Sequence, residues 1–99
     1  MQIFNGQTED GVSEIFRVQR ADELVNIWVS GDLGGGTVTV ESLAPDGTTW
    51  VKVNGSEITE PLMITLEAPR FDARLRLADS TDANINAWAE RDGIYWMSR

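Results

Sequence analysis

The stretch Thr37-Val38-Thr39-Val40-Glu41-Ser42-Leu43-Ala44-Pro45-Asp46-Gly47-Thr48-Thr49-Trp50-Val51-Lys52-Val53 decides the fold. Val38 and Val40 fall on one face of an extended segment, Val51 and Val53 on one face of another, and Ala44-Pro45-Asp46-Gly47 between them has the composition of a reversal. That is the pattern of a β-hairpin. The same two-residue period continues on both sides of it, in Val25, Ile27 and Val29 before it and in Leu62, Ile64 and Leu66 after it. It recurs in Phe71, Ala73, Leu75 and Leu77, and again in Ala83, Ile85, Ala87 and Ala89. Ile3-Phe4, the segment from Glu14 to Val18 and the segment from Ile94 to Met97 add further short strands. Helical period is nearly absent, its only trace being a short turn around Arg20-Ala21-Asp22-Glu23. The chain therefore reads as all-β, an antiparallel β-sandwich of jelly-roll-like type with about eight short strands.

Turn chemistry fits that reading. Asn5-Gly6, Asp46-Gly47, Asn54-Gly55 and Asp92-Gly93 supply residues that tolerate positive φ and predict four reversals. Pro61 and Pro69 bracket the strand from Leu62 to Glu67, where proline suits strand ends. Gly34-Gly35-Gly36 reads as a hinge before the strand at Thr37, since no lysine or helix follows to make it a phosphate loop. No linker, repeat or low-complexity tract divides the chain, so residues 1–99 are expected to form a single domain, with terminal segments able to reach onto neighbours.

Composition narrows the chemistry. Cysteine and histidine are both absent, which removes disulfides, thiolate and imidazole metal ligands, and the nucleophilic pairs that depend on them. A net charge of −8 disfavours nucleic acid and anionic membranes as partners. No window approaches the roughly 20 apolar residues of a spanning helix, and the N-terminus lacks a basic stretch followed by an apolar run, so a mature cytosolic product is expected. Asp72 or Glu67 beside another carboxylate could make a glycosidase pair, but any acid-rich β chain offers such pairs. Asp79-Ser80-Thr81-Asp82 with Asn84 and Asn86, and the turn Glu9-Asp10-Gly11, offer oxygen ligands but not EF-hand spacing. Polar turns bonding their own backbone account for them. No catalytic residue, metal site or cofactor is expected.

What remains points to adhesion. Trp28, Trp50 and Trp88 sit on the opposite parity from their strands' aliphatic residues, so their rings leave the main core and either lie under loops or meet a partner. Arg70, Arg74 and Arg76 share one strand face with Asp72, which makes either a solvated stripe or a contact with a neighbour's carboxylates. Residues 1–60 hold ten acids and three bases, whereas 61–99 hold six and five, an asymmetry suited to head-to-tail association. Ile3, Phe4, Tyr95 and Trp96 are apolar for terminal positions; they complete an edge of their own sheet, reach a neighbour by strand addition, or do both.

The stretch Gly34 to Val53, with the later Arg74-Leu75-Arg76-Leu77 and Asn84-Ile85-Asn86-Ala87-Trp88 strands, resembles small virion proteins of tailed bacteriophages over roughly residues 24–90. The resemblance implies a decoration (cement) protein on the outer capsid surface, made in the host cytoplasm, that clamps neighbouring major capsid subunits and associates with itself, a homotrimer being favoured. It assigns no individual contact residues. A tail, fibre-anchor or head-to-tail joint protein is the nearest alternative. A carbohydrate-binding or adhesin module using Trp28, Trp50 or Trp88 to stack on sugar rings is the other.

Overall fold

The computed structural model describes residues 2–18, 24–67 and 71–92. Nine strands follow one another among these residues: β1 (Gln2–Gln7), β2 (Gly11–Val12), β3 (Phe16–Val18), β4 (Leu24–Asp32), β5 (Thr37–Leu43), β6 (Trp50–Lys52), β7 (Leu62–Glu67), β8 (Phe71–Ala78) and β9 (Asn84–Asp92). All pairings are antiparallel, and no helix occurs among the described residues. The first sheet has the order β1-β9-β4-β7; the second runs β2-β8-β5-β6, with β3 also on β8.

The connectivity follows from nested pairing. β5 pairs β6 across the Ala44–Gly47 reversal, β4 pairs β7 outside that, β2 and β3 pair β8, and β1 pairs β9. The chain is one long hairpin, rolled up so that β4 also meets β9 and β5 also meets β8. Counting β2 and β3 as one interrupted strand gives the eight strands of a jelly roll. Ser13 makes the interruption. Its N–H donates to the Leu75 carbonyl (2.8 Å), while its buried hydroxyl accepts from the Leu75 N–H (2.9 Å) and donates to the Glu14 carbonyl (2.8 Å).

The stripes expected from alternation line the space between the sheets. Val25, Ile27, Val29, Ile85, Ala87 and Ala89 are buried on the first sheet, and Val38, Val40, Ala73, Leu75 and Leu77 on the second. Leu33, Ile58 and Ala83 close the ends from loops. Ile3 and Phe4 are also buried, although they are consecutive. A register shift between Gln2 and Phe4 in the β1–β9 ladder lets two neighbouring side chains turn inward. Their side chains therefore belong to this chain's own core, and β1 completes an edge of its own sheet, one of the alternatives left open by the sequence.

Three local readings change. Asn5-Gly6 makes no reversal; it lies inside β1, where Gly6 at φ 65° takes up a second register shift. Gly34-Gly35-Gly36 is no hinge. A Cβ on Gly34 would stand 2.3 Å from the Thr81 carbonyl oxygen, and one on Gly36 would stand 2.7 Å from that of Ala78. The Thr81 N–H donates to the Gly34 carbonyl and the Gly36 N–H to that of Leu33, both at 2.9 Å, so these glycines permit close packing. The strand after the Asp46 turn is shorter than alternation implied: it stops at Lys52, and Val51, half exposed, lies on the uncovered end of edge strand β6. Beyond it Ser56 takes over. Its buried hydroxyl accepts from the Val40 N–H (3.1 Å) and donates to the Val53 carbonyl (2.7 Å), and Ile58 then exchanges two 2.8 Å backbone bonds with Val38. The Asp46 turn forms as expected: the Thr49 hydroxyl, with the Thr48 and Thr49 N–H groups, holds the Asp46 carboxyl down to about 2. Arg70, Tyr95, Trp96, Pro69, Asp92-Gly93 as a reversal, the strand expected at Ile94 to Met97 and the turn around Arg20 to Glu23 lie outside the described residues.

Candidate interaction surfaces

The outer face of the first sheet carries an aromatic and apolar band. Trp28 on β4 stands directly opposite Trp88 on β9 and opposite Met63 on β7, and Trp88 stands opposite Gln2 on β1. Partners in such ladders have Cβ atoms about 4.5–5.5 Å apart, so Gln2, Trp88, Trp28 and Met63 form a row across all four strands. Ile27 and Val29 beside Trp28, and Ala87 and Ala89 beside Trp88, point to the core, which is why both rings face away from it. Trp28 is 38% exposed and Met63 47% exposed; Trp88 is half-buried. Amides and hydroxyls border the row. The Thr65 hydroxyl donates to Asn26 Oδ1 (2.7 Å), and Asn86 Oδ1 accepts from the Gly6 N–H (2.9 Å) and from Gln2 Nε2 (3.5 Å).

The outer face of the second sheet holds Arg74 and Arg76, and both are paired within the chain. Arg74 and Arg76 each donate through Nε to Glu41 on β5, at 2.8 and 2.9 Å, one to each carboxylate oxygen. The Arg74 guanidinium also lies over the Trp50 ring, 4.1 Å from its centroid. Partial burial alone would push the Glu41 carboxyl up. The hydrogen bonds and positive charges of Arg76 and Arg74 outweigh it, and the carboxyl is held below its ordinary value. Trp50 and Arg74 thus brace β6, β5 and β8 within the chain; Arg76, more exposed than Arg74, keeps part of its guanidinium in solvent. Nearby on the surface, Val12 and Ile15 are exposed and Lys52 pairs Glu57 at 2.7 Å.

The two acidic turns noted in the sequence converge at one end of the sandwich. Asp10 accepts from the N–H groups of Asp79 and Ser80 at 3.0 Å and from the Ser80 hydroxyl, and the Ser80 bonds hold its carboxyl below the ordinary value. An open cleft of about 770 Å³ there is lined by Thr8, Glu9, Asp10, Ser80, Asp82, Ala83 and Asn84. Asp10 clamps the β8–β9 turn, in which Asp79 and Asp82 adopt positive φ, and no group of three metal-ligating side chains occurs among the described residues. Sequence reasoning found both turns but not their meeting, which depends on the pairing of β2 with β8.

Comparison of the chain with protein-family models, curated proteins and solved structures found no match.

Proposed function

We propose that this chain is a structural virion protein of a tailed bacteriophage: a capsid decoration protein that sits on the outside of the head and stabilises it by binding across neighbouring major capsid subunits. In this reading it carries out no reaction, and it associates with itself, as a trimer in the arrangement the resemblance implies. The observation that carries the proposal is the Gln2-Trp88-Trp28-Met63 row. Tryptophan and methionine are enriched where proteins meet, and exposed tryptophan on a sheet face supplies much contact area at little conformational cost. The acidic remainder would keep unattached copies soluble and away from packaged nucleic acid.

The test is cosedimentation of the purified chain with heads that lack it. Trp28→Ala is expected to weaken attachment at least about tenfold, equivalent to about 1.4 kcal/mol, with little change in melting temperature, because the ring is outside the core. Undiminished attachment of Trp28→Ala would remove the row from the contact, and absence of the chain from particles would end the capsid reading. Copy number separates decoration from a tail or joint role: decoration requires copies comparable with the capsid protein, a joint only a few. The amides of Asn26, Asn86 and Gln2 beside Trp28 and Trp88 also suit sugar hydroxyls. Glycan-array binding by the isolated chain, lost in Trp28→Ala, would favour an adhesin instead.

A further inference from the structure

We propose that the outer edge of β7 joins a second copy of this chain, antiparallel about a two-fold axis at Ile64, so that two four-stranded sheets continue as one of eight strands. Among the described residues the sheets end at four edges, and three are protected. β1 has two register shifts and Gly6 at positive φ, β2 and β3 are broken at Ser13, and β6 is three residues long. Bulges, breaks and brevity are how sheet edges avoid pairing. β7 has none of these. It runs six residues in unbroken register with β4, from Leu62 opposite Val29 to Glu67 opposite Leu24, without proline, lysine or arginine. Among the described residues no strand covers its other side. Alternate residues of such a strand direct N–H and C=O groups away from β4, and an extended backbone is the chemistry that satisfies them.

The side chains identify the partner as the chain itself. With the axis at Ile64, Leu62 faces the partner's Leu66, Met63 faces Thr65, and Ile64 faces its own copy. Every pair then shares a face, so the inner stripe of Leu62, Ile64 and Leu66 continues across the junction; a one-residue slip would set it against the outer face. Leu62 and Met63, exposed in the single chain, gain cover. Charge is compatible with this register. The window from Pro61 to Leu66 is neutral in a chain of net charge −8, so the paired stretch brings no like charges together. Six residues a side compare with about 20–30 in a standard interface, so the contact is weak in dilute solution and fills when copies are concentrated, as on a particle. The inference does not depend on the capsid reading, and a two-fold contact is separate from any three-fold association.

Because the chain has no cysteine, introduced thiols report the register directly. Met63 and Thr65 are exposed, so Met63→Cys and Thr65→Cys should fold. Mixed under mild oxidation, the two variants are expected to cross-link several-fold more than either alone, because opposed positions lie within disulfide reach and like positions, two residues apart along the ladder, do not. Sedimentation equilibrium of the unmodified chain should show mass doubling with concentration, and the double variant Met63→Lys, Thr65→Lys should halve the mass of the assembly. Equal cross-linking in mixed and separate samples, no rise in mass at millimolar concentration, or a lysine variant that associates unchanged would overturn the proposal.

Discussion

Gly31→Ala is expected to destabilise the fold by about 3 kcal/mol or more, a fall in melting temperature of about 12–24 °C for a domain of this size. Gly31 sits inside β4 at φ 98°, opposite Ile85 of β9. A Cβ there would stand 2.2 Å from the Asn84 carbonyl oxygen and 3.2 Å from the Ile85 Cα. Both obstacles are backbone, so relief requires the central pair of the first sheet to separate. Conformational strain from an alanine at positive φ adds about 1–2 kcal/mol. Gly35→Ala separates the two causes. Gly35 has φ 75° but open space around the new methyl, so it should lose only about 1 kcal/mol. Urea unfolding of the two variants measures the difference, and equal losses would mean that β4 and β9 do not approach as closely as described.

Glu41→Ala is the second large effect, a loss of about 2 kcal/mol in the same measurement. It leaves the Arg74 guanidinium, 18% exposed, without its carboxylate and takes a partner from Arg76. Removing one member of a fully buried pair costs about 3–5 kcal/mol. The 42% exposure of Arg76 argues for a smaller figure, since water compensates that side of the cluster. Glu41→Gln, which keeps the shape, should lose about half as much. Acid discriminates further. The folded Glu41 carboxyl titrates below its ordinary 4.5, so its stabilisation is complete above that value and disappears as the pH falls through the depressed folded value. The gap between the unsubstituted chain and Glu41→Gln is therefore expected to be constant near neutral pH and to close in acid. A gap that persists there would mean that the Arg74 and Arg76 bonds do not depend on the charge of Glu41.

The core was legible because period-2 alternation is a backbone property: Val25, Ile27 and Val29 point inward wherever β4 lies in the sheet. The outward placement of Trp28 and Trp88 followed from the same parity. Their arrival side by side did not, because it depends on the β4–β9 register, and those strands are separated by half the chain. The arginines show the same limit. Arg74 and Arg76 were on one face by parity, but Glu41 belongs to another strand, and only the pairing of β5 with β8 brings it between them. The glycines misled for a different reason. A glycine required by a nearby carbonyl, as at Gly34, and one required by a turn have the same letter, and sequence carries no trace of the atom that excludes a Cβ.

The nested order of pairing has a kinetic corollary. β1, made early, has its hydrogen-bonding partner in β9, and the Gly6 N–H bonds to an Asn86 side chain 80 positions away. Among the described strands only the β5–β6 reversal can zip from neighbours during translation; each outer layer must wait for a strand synthesised later. Such nonlocal closure places folding among the slow, millisecond-to-second β topologies. It also means that nascent chains lacking β9 expose Ile3 and Phe4 to solvent, making unfinished products substrates for chaperones and proteases.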